Sequence, residues 1–152
     1  MKLEVVVNDP FDAAKIKHLF SDRGDLQLAA PRSHYPFDED QWAQRFGKHP
    51  ENCSLLFYLN DQVVGHTSFL PTSELLYLCY VILLPELRGK SVATEMIRLS
   101  EEFCRLNYPH EVLHLNVNKG NDRARRLYEK LGYVKVDEIK DKVKMMKRLY
   151  ST

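Results

Sequence analysis

The chain has 152 residues, with 22 lysines and arginines against 21 aspartates and glutamates, a formal net charge of +1. That balance gives no global field to hold nucleic acid or an anionic membrane, and the length suits a single domain, residues 1–152, whose core needs no disulfide staples. Cys53, Cys79 and Cys104 lie far apart with no CxxC pair, so neither a disulfide framework nor a zinc site is indicated, no metal is expected, and a reducing cytoplasm is the expected compartment.

The start, MKLEVVVNDP, has only a three-valine run after its charges, and the longest apolar run, Leu75 to Pro85, is well short of the ~20 residues that span a bilayer. A soluble, unprocessed protein is expected. Leu3 to Val7 read as a strand, after which Asp9 and Pro10 supply an N-cap and first residue for a helix reaching about Phe20. Residues 21 to 36, with Gly24, Pro31 and Pro36, read as loop. DEDQWAQRF puts acids in a first helical turn and spaces Trp42 and Phe46 by four, which predicts a second short helix.

CSLLFYLN and QVVGHTSFL are strand-like and separated by Asn60 and Asp61, an antiparallel hairpin signal. ELLYLCYVILL is apolar on both parities, as a central strand covered on both faces must be. Beyond Arg88, Gly89, Lys90 and Ser91, the residues Val92, Met96, Leu99, Phe103 and Leu106 recur at spacings of four and three, predicting a long helix with one apolar stripe. VLHLNV is a further strand. Asn121 caps a helix that carries Ala124, Leu127, Tyr128 and Leu131 on one face before Gly132 stops it. YVKVDEI and KVKMMKRL end the chain as strands. The order β α α β β β α β α β β predicts an α/β domain with a mixed (α+β), partly antiparallel sheet, not a repetition of βαβ units.

The stretch LLPELRGKSVATEMI, residues 83 to 97, carries chemistry. A strand runs into Gly89, Lys90 and Ser91 and then into a helix, as in a phosphate-gripping loop. A Walker loop needs glycine five residues before Gly89, where Leu84 stands, and Pro85 removes an N–H from the stretch that should donate. What remains is a glycine turn feeding a helix N-terminus, whose free N–H groups and dipole suit some anion.

Two segments together resemble the GNAT superfamily of N-acetyltransferases. The strand, Pro85, RGKSVA and long helix are similar to its acyl-CoA binding core, NDRARRLYEKLGY is similar to its second signature, and the element order matches over about residues 1 to 149. Ser91 stands where the family more commonly has glycine. The resemblance implies a GNAT-like acyl-CoA N-acyltransferase fold, acetyl-CoA as cosubstrate, and transfer of the acetyl group to a primary amine by direct attack in a ternary complex. The alternative is a non-catalytic coenzyme A binding or sensing protein of the same fold.

The resemblance further implies that the pyrophosphate meets N–H groups of Arg88, Gly89, Lys90, Ser91, Val92 and Ala93, with charge added by Arg88 and Lys90. It assigns coenzyme A contact to Asn121, the acid for the leaving thiolate to Tyr128, and unpaired N–H groups near Val81 and Leu83 to the pantetheine and the thioester carbonyl. Asn121 serves equally as a helix cap, and Tyr128 as a packing tyrosine. A base for the amine is sought at Glu74, with His66 and Tyr77 as rivals. The acceptor is expected to be an amine-bearing small molecule or a peptide N-terminus. It would meet residues 21 to 46, where His34, Tyr35, Phe37, Asp38, Glu39, Asp40 and Trp42 offer aromatic walls and acids for a cationic amine. Cys79 has no readable His–Asp partners and is not taken as a nucleophile. Nothing in the sequence sets the oligomeric state.

Overall fold

The computed structural model describes residues 2–150. Seven strands form one sheet: β1 (Glu4–Val7), β2 (Cys53–Leu59), β3 (Gln62–Pro71), β4 (Leu76–Leu83), β5 (Val112–Asn118), β6 (Val134–Ile139) and β7 (Lys142–Arg148). Their spatial order is β1-β2-β3-β4-β5-β7-β6, antiparallel except for the parallel pair β4 and β5, so the sheet is mixed as the element order predicts. Asn60 and Asp61 both take positive φ, 51° and 65°, which makes the β2–β3 connection a type I′ turn.

The helices are α1 (Arg23–Ala29), α2 (Glu39–Gly47), α3 (Val92–Asn107) and α4 (Asp122–Lys130). One face of the sheet packs Leu56 and Ile82 against Phe20, Leu26, Trp42 and Phe46 of the α1–α2 side. The other packs Leu76, Leu78 and Leu83 against α3 and α4 through Met96, Ile97 and Tyr128. β4 feeds both cores, which is why its sequence is apolar on both parities.

Three local expectations are corrected. The first helix does not start at Pro10: Asn8 Oδ1 takes the Asp12 N–H, Asp12 caps Ala14, and only two 3-10 turns follow, Ala13–Lys15 and Lys17–Phe20. Residues 21 to 36 are not all loop, because Asp22 accepts from the Asp25 N–H and starts α1 despite Gly24. The stripe on α3 is rotated from its apolar prediction, with Leu106 77% exposed while Ser100 and Glu101 are buried. Polar partners explain this: Ser100 Oγ bonds Thr67 Oγ1, and Glu101 accepts from Tyr133 Oη at 2.7 Å and Lys147 Nζ at 2.9 Å.

The register of β3 and β4 breaks between His66 and Ser68, where Tyr80 bulges with φ at 51°. The bulge takes the Tyr80 carbonyl out of the ladder, and His66 satisfies it, Nδ1–H donating at 2.7 Å. A carbonyl only accepts, so Nδ1 carries the proton and Nε2 accepts from Ser54 Oγ at 2.8 Å. Asn8 Nδ2 donates in turn to Ser54 Oγ at 3.3 Å. Burial pushes the His66 imidazole down to about 4, the smaller effect of the Tyr80 bond acting the other way.

A sign follows. The unfolded chain takes up a proton at His66 near pH 6.5 and the folded protein near 4, so protons favour unfolding between these values. The stability from neutral His66 is complete above about pH 6.5 and lost as pH falls through 4, by up to roughly 3 kcal/mol. Thermal melts of wild type and His66→Asn between pH 7 and 4.5 should show the steeper fall in wild type. Parallel curves would exclude His66 as its source.

Candidate active site

The β4–β5 ladder holds only Leu76 with Leu113 and Tyr77 with His114. Past Tyr77 the two strands part, and a cleft of about 1360 Å³ opens between them, walled by β4, β5, the turn before α3, α4 and the end of α1. The Leu84 N–H donates to Val64 of β3 at 2.9 Å, so by strand alternation the N–H groups of Val81 and Leu83 face the gap. Their side chains pack in the core.

At the mouth, the turn before α3 supplies anion donors. Gly89 holds φ at 76° whereas Ser91 sits at −70°, so the left-handed residue is the glycine and the serine is unstrained. The Arg88 N–H is taken by Pro85 at 3.2 Å, which removes it from the expected donors. Among the described residues no acceptor meets the N–H groups of Gly89, Lys90, Ser91, Val92 and Ala93, the orphans of a helix start. Ser91 holds the N-cap position without a side-chain cap bond. The Arg88 guanidinium grips Asp25 of α1 at 3.1 and 3.0 Å and the Leu83 carbonyl at 2.9 Å. Its charge is therefore matched by a carboxylate, and the exposed Lys90 carries the free one.

On the opposite wall Asn121 caps α4, its Oδ1 accepting from the Ala124 N–H at 3.3 Å, and lines the cleft as well. Tyr128 is buried in the α4 core, its ring edge-on to Tyr133 at 5.5 Å, and it too lines the cleft. Its hydroxyl makes no hydrogen bond among the described residues, although a packing tyrosine normally finds a partner. Burial, with Cys79 adding to it, raises the phenol above its ordinary pKa.

Sequence reasoning missed Arg123 and Arg126, which reach the cleft from α4. A signal was there: NDRARR sets three arginines near a helix N-terminus, where the dipole repels cations. An anionic ligand offsets that repulsion. Eight basic side chains line the cleft against two acidic ones, Asp25 and Asp122, although the whole chain carries only +1.

Other expected residues are not brought to the site. Glu74 sits exposed on the β3–β4 turn, its N–H directed to Thr72 Oγ1, and does not line the cleft. His66 is buried behind β4 with both nitrogens engaged. Tyr77 does reach the cleft, its ring 5.8 Å from that of His114. The acids of residues 38 to 40 border a separate surface hollow: Asp38 caps α2 and pairs with His34 at 3.0 Å, and Glu39 pairs with Lys17 at 3.4 Å. Trp42 is wholly buried. From residues 21 to 46 the charged side chains that line the cleft are Asp25, Arg32 and Arg45.

No helix among the described residues is long and apolar enough to cross a membrane. A search among curated proteins finds no match. Among solved structures, spermidine N-acetyltransferase from Vibrio cholerae, in complex with coenzyme A and spermine, superposes with a TM-score of 0.79 at 17% identity, over 97% of this chain and 95% of the other. PaiA N-acetyltransferase from Thermoplasma acidophilum, in complex with coenzyme A, gives 0.78 at 13% identity over 97% and 99%. YncA from Salmonella typhimurium, with its cofactor acetyl-CoA, gives 0.73 at 16% identity over 100% and 96%. At such identities the likeness is one of fold. Residues 15–133, most of the chain and the whole of the cleft except Lys142, match the acetyltransferase (GNAT) family, and the chain belongs to that family.

Proposed function

We propose that the chain moves the acetyl group of acetyl-CoA onto a primary amine by direct attack in a ternary complex. One observation carries this reading: a single cleft holds the free N–H groups of Gly89, Lys90, Ser91 and Ala93, Val92 being the one expected donor that does not line it, with the gap-facing N–H groups of Val81 and Leu83 and the unpartnered hydroxyl of Tyr128. The coenzyme A and acetyl-CoA in similarly folded acetyltransferases agree with it.

Acetyl-CoA supplies an activated thioester. The N–H groups of Gly89, Lys90, Ser91 and Ala93 hold its diphosphate, with Lys90, Arg123 and Arg126 adding charge and Asn121 a polar contact. Val81 and Leu83 N–H groups polarise the thioester carbonyl. Such a donor is typically worth about 3 kcal/mol at the transition state. As the C–N bond forms and the C–S bond breaks, Tyr128 gives its proton to the departing sulfur. Its raised pKa keeps it protonated throughout the working range. The amine loses its own proton to water, since Glu74 lies outside the cleft. Cys79 takes no part: burial pushes its thiol up to about 12, leaving no thiolate for an acyl-enzyme.

Three measurements test this. Acetyl-CoA at a hundredfold excess over Kd should stabilise the protein by ~2.7 kcal/mol, seen as a rise in Tm that ATP does not give. Gly89→Asp, which sets a carboxylate against the diphosphate, should abolish the rise; an unchanged shift removes the phosphate turn from the site. Tyr128→Phe should keep acetyl-CoA affinity and lower kcat by ~10²- to 10⁴-fold where chemistry limits turnover. A wild-type rate in that variant leaves Tyr128 a core residue. Glu74→Gln should give a pH–rate profile parallel to wild type, and a loss confined to low pH would restore Glu74 as the base.

A further inference from the structure

Arg45 is a half-buried cation on α2 with no carboxylate beside it. Its Cζ lies 4.6 Å from the Trp42 ring centroid and 4.9 Å from that of Tyr80, and Nη1 donates to Ser33 Oγ at 2.9 Å. A guanidinium has five N–H donors, and the hydroxyl takes one. Arg88 and Lys147, also half-buried, each hold a carboxylate at 3.0 and 2.9 Å. Among the described residues neither Arg45 nor Arg32 forms an ion pair. Taking a charge partly out of water without a counter-ion is costly, and ring faces offset only part of it.

Both arginines line the cleft beside the Tyr80 bulge. At the Tyr80 phenol, burial raises the pKa and Cys79 adds to the rise, while the charges of Arg45 and Arg32 act against it, so both cations are felt at that hydroxyl. Tyr80 lies four residues of strand, roughly 13 Å, before Leu84 and the turn that receives the diphosphate. The ring on which Arg45 stacks thus belongs to the bulge and not to that turn. Among the described residues two acids line the cleft: Asp25 is bound to Arg88, and Asp122 lies beyond the end of β5 at the start of α4.

Resting on the acetyltransferase reading above, we propose that the acceptor is a small aminocarboxylate, such as a free α-amino acid, whose carboxylate is held by Arg45 and Arg32 while its amine faces the thioester. The planar fork of Arg45, already fixed by two rings and Ser33, suits two parallel bonds to a carboxylate. A polyamine meets like charge there, with no acid to receive it. The sequence expectation of a cationic acceptor drawn in by Asp38, Glu39 and Asp40 is replaced, because Asp38 caps α2 and pairs with His34, Glu39 pairs with Lys17, and all three border a separate hollow and not the cleft.

The test is thiol release from acetyl-CoA with the standard amino acids, the amines obtained by removing their carboxylates, and spermidine. At least one amino acid should exceed its matched amine about 10- to 100-fold in kcat/KM, the range of a charge-assisted bond pair. Arg45→Gln should bring that ratio near one. Should Arg45→Gln fold poorly, Arg32→Glu, at an exposed position, should lower the ratio at least tenfold without touching the core. Matched amines or spermidine used as well as the amino acids overturn the aminocarboxylate class and leave acetyl transfer standing. Where acetyl-CoA binds but no amine is turned over, melts of the coenzyme A complex decide. A Tm rise with an amino acid and not with its amine supports the anion site while removing the catalytic reading, and no such difference overturns both.

Discussion

Everything the cleft offers depends on the failure of β4 and β5 to pair beyond Tyr77. Parallel neighbours that continued their ladder would bond the N–H groups of Val81 and Leu83 to β5 and leave no gap. The bulge at Tyr80 redirects β4, and it persists because its consequences are met. His66 takes the carbonyl that leaves the ladder, and the Tyr80 ring packs edge-on to Trp42 at 4.9 Å. A non-glycine residue at φ 51° costs of order 1 to 2 kcal/mol, which burial of a tyrosine ring is large enough to offset. The two cores clamp the strand from both faces, Ile82 into one and Leu78 with Leu83 into the other, so the strand cannot swing back to close the gap.

Charge is arranged by the same fold. A chain of net charge +1 has a cleft with a strong basic excess because its acids have other partners. Asp12, Asp22 and Asp38 cap helical turns, and Glu101 is buried against Lys147 and Tyr133. Eight cations line the gap. Totals over a sequence cannot report this, since capping removes an acid from the field of the site without removing it from the count.

The parts of the sequence that were legible were those governed by local rules. The hairpin at Asn60 and Asp61, the cap at Asn121, the double-sided β4 and the glycine turn before α3 each follow from the residues within a few positions. α1 was hidden because Gly24, Pro31 and Pro36 outweighed the cap at Asp22. The burial of Ser100 and Glu101 was hidden because their partners, Thr67, Tyr133 and Lys147, are distant in sequence. At the site, the turn and Tyr128 were readable through a motif. The placement of Arg45 was not, since it comes from a stack with Trp42 and Tyr80 that only the packed structure creates. Glu74 shows the converse: its place along the chain lies near β4, but the turn that carries it faces solvent, outside the cleft.

Arg88 joins these parts. Of the two cations on the turn before α3, Arg88 is held by Asp25 and by the carbonyl of Leu83, a residue whose N–H faces the gap. The side chain therefore works as a clasp. It fixes the end of β4 against α1, and α1 leads through Ala30 into Arg32 and into Ser33, whose hydroxyl accepts from Arg45. A bidentate pair only about a quarter exposed has the geometry and desolvation that make an ion pair count, unlike the pairs on the surface. The glycine turn before α3 and Arg45 beside the bulge are thus linked through Arg88, Asp25, α1 and Ser33. For a reaction in which a thioester and an amine must meet within about 3.5 Å, a preset distance lowers the entropic part of the barrier without a catalytic side chain being involved.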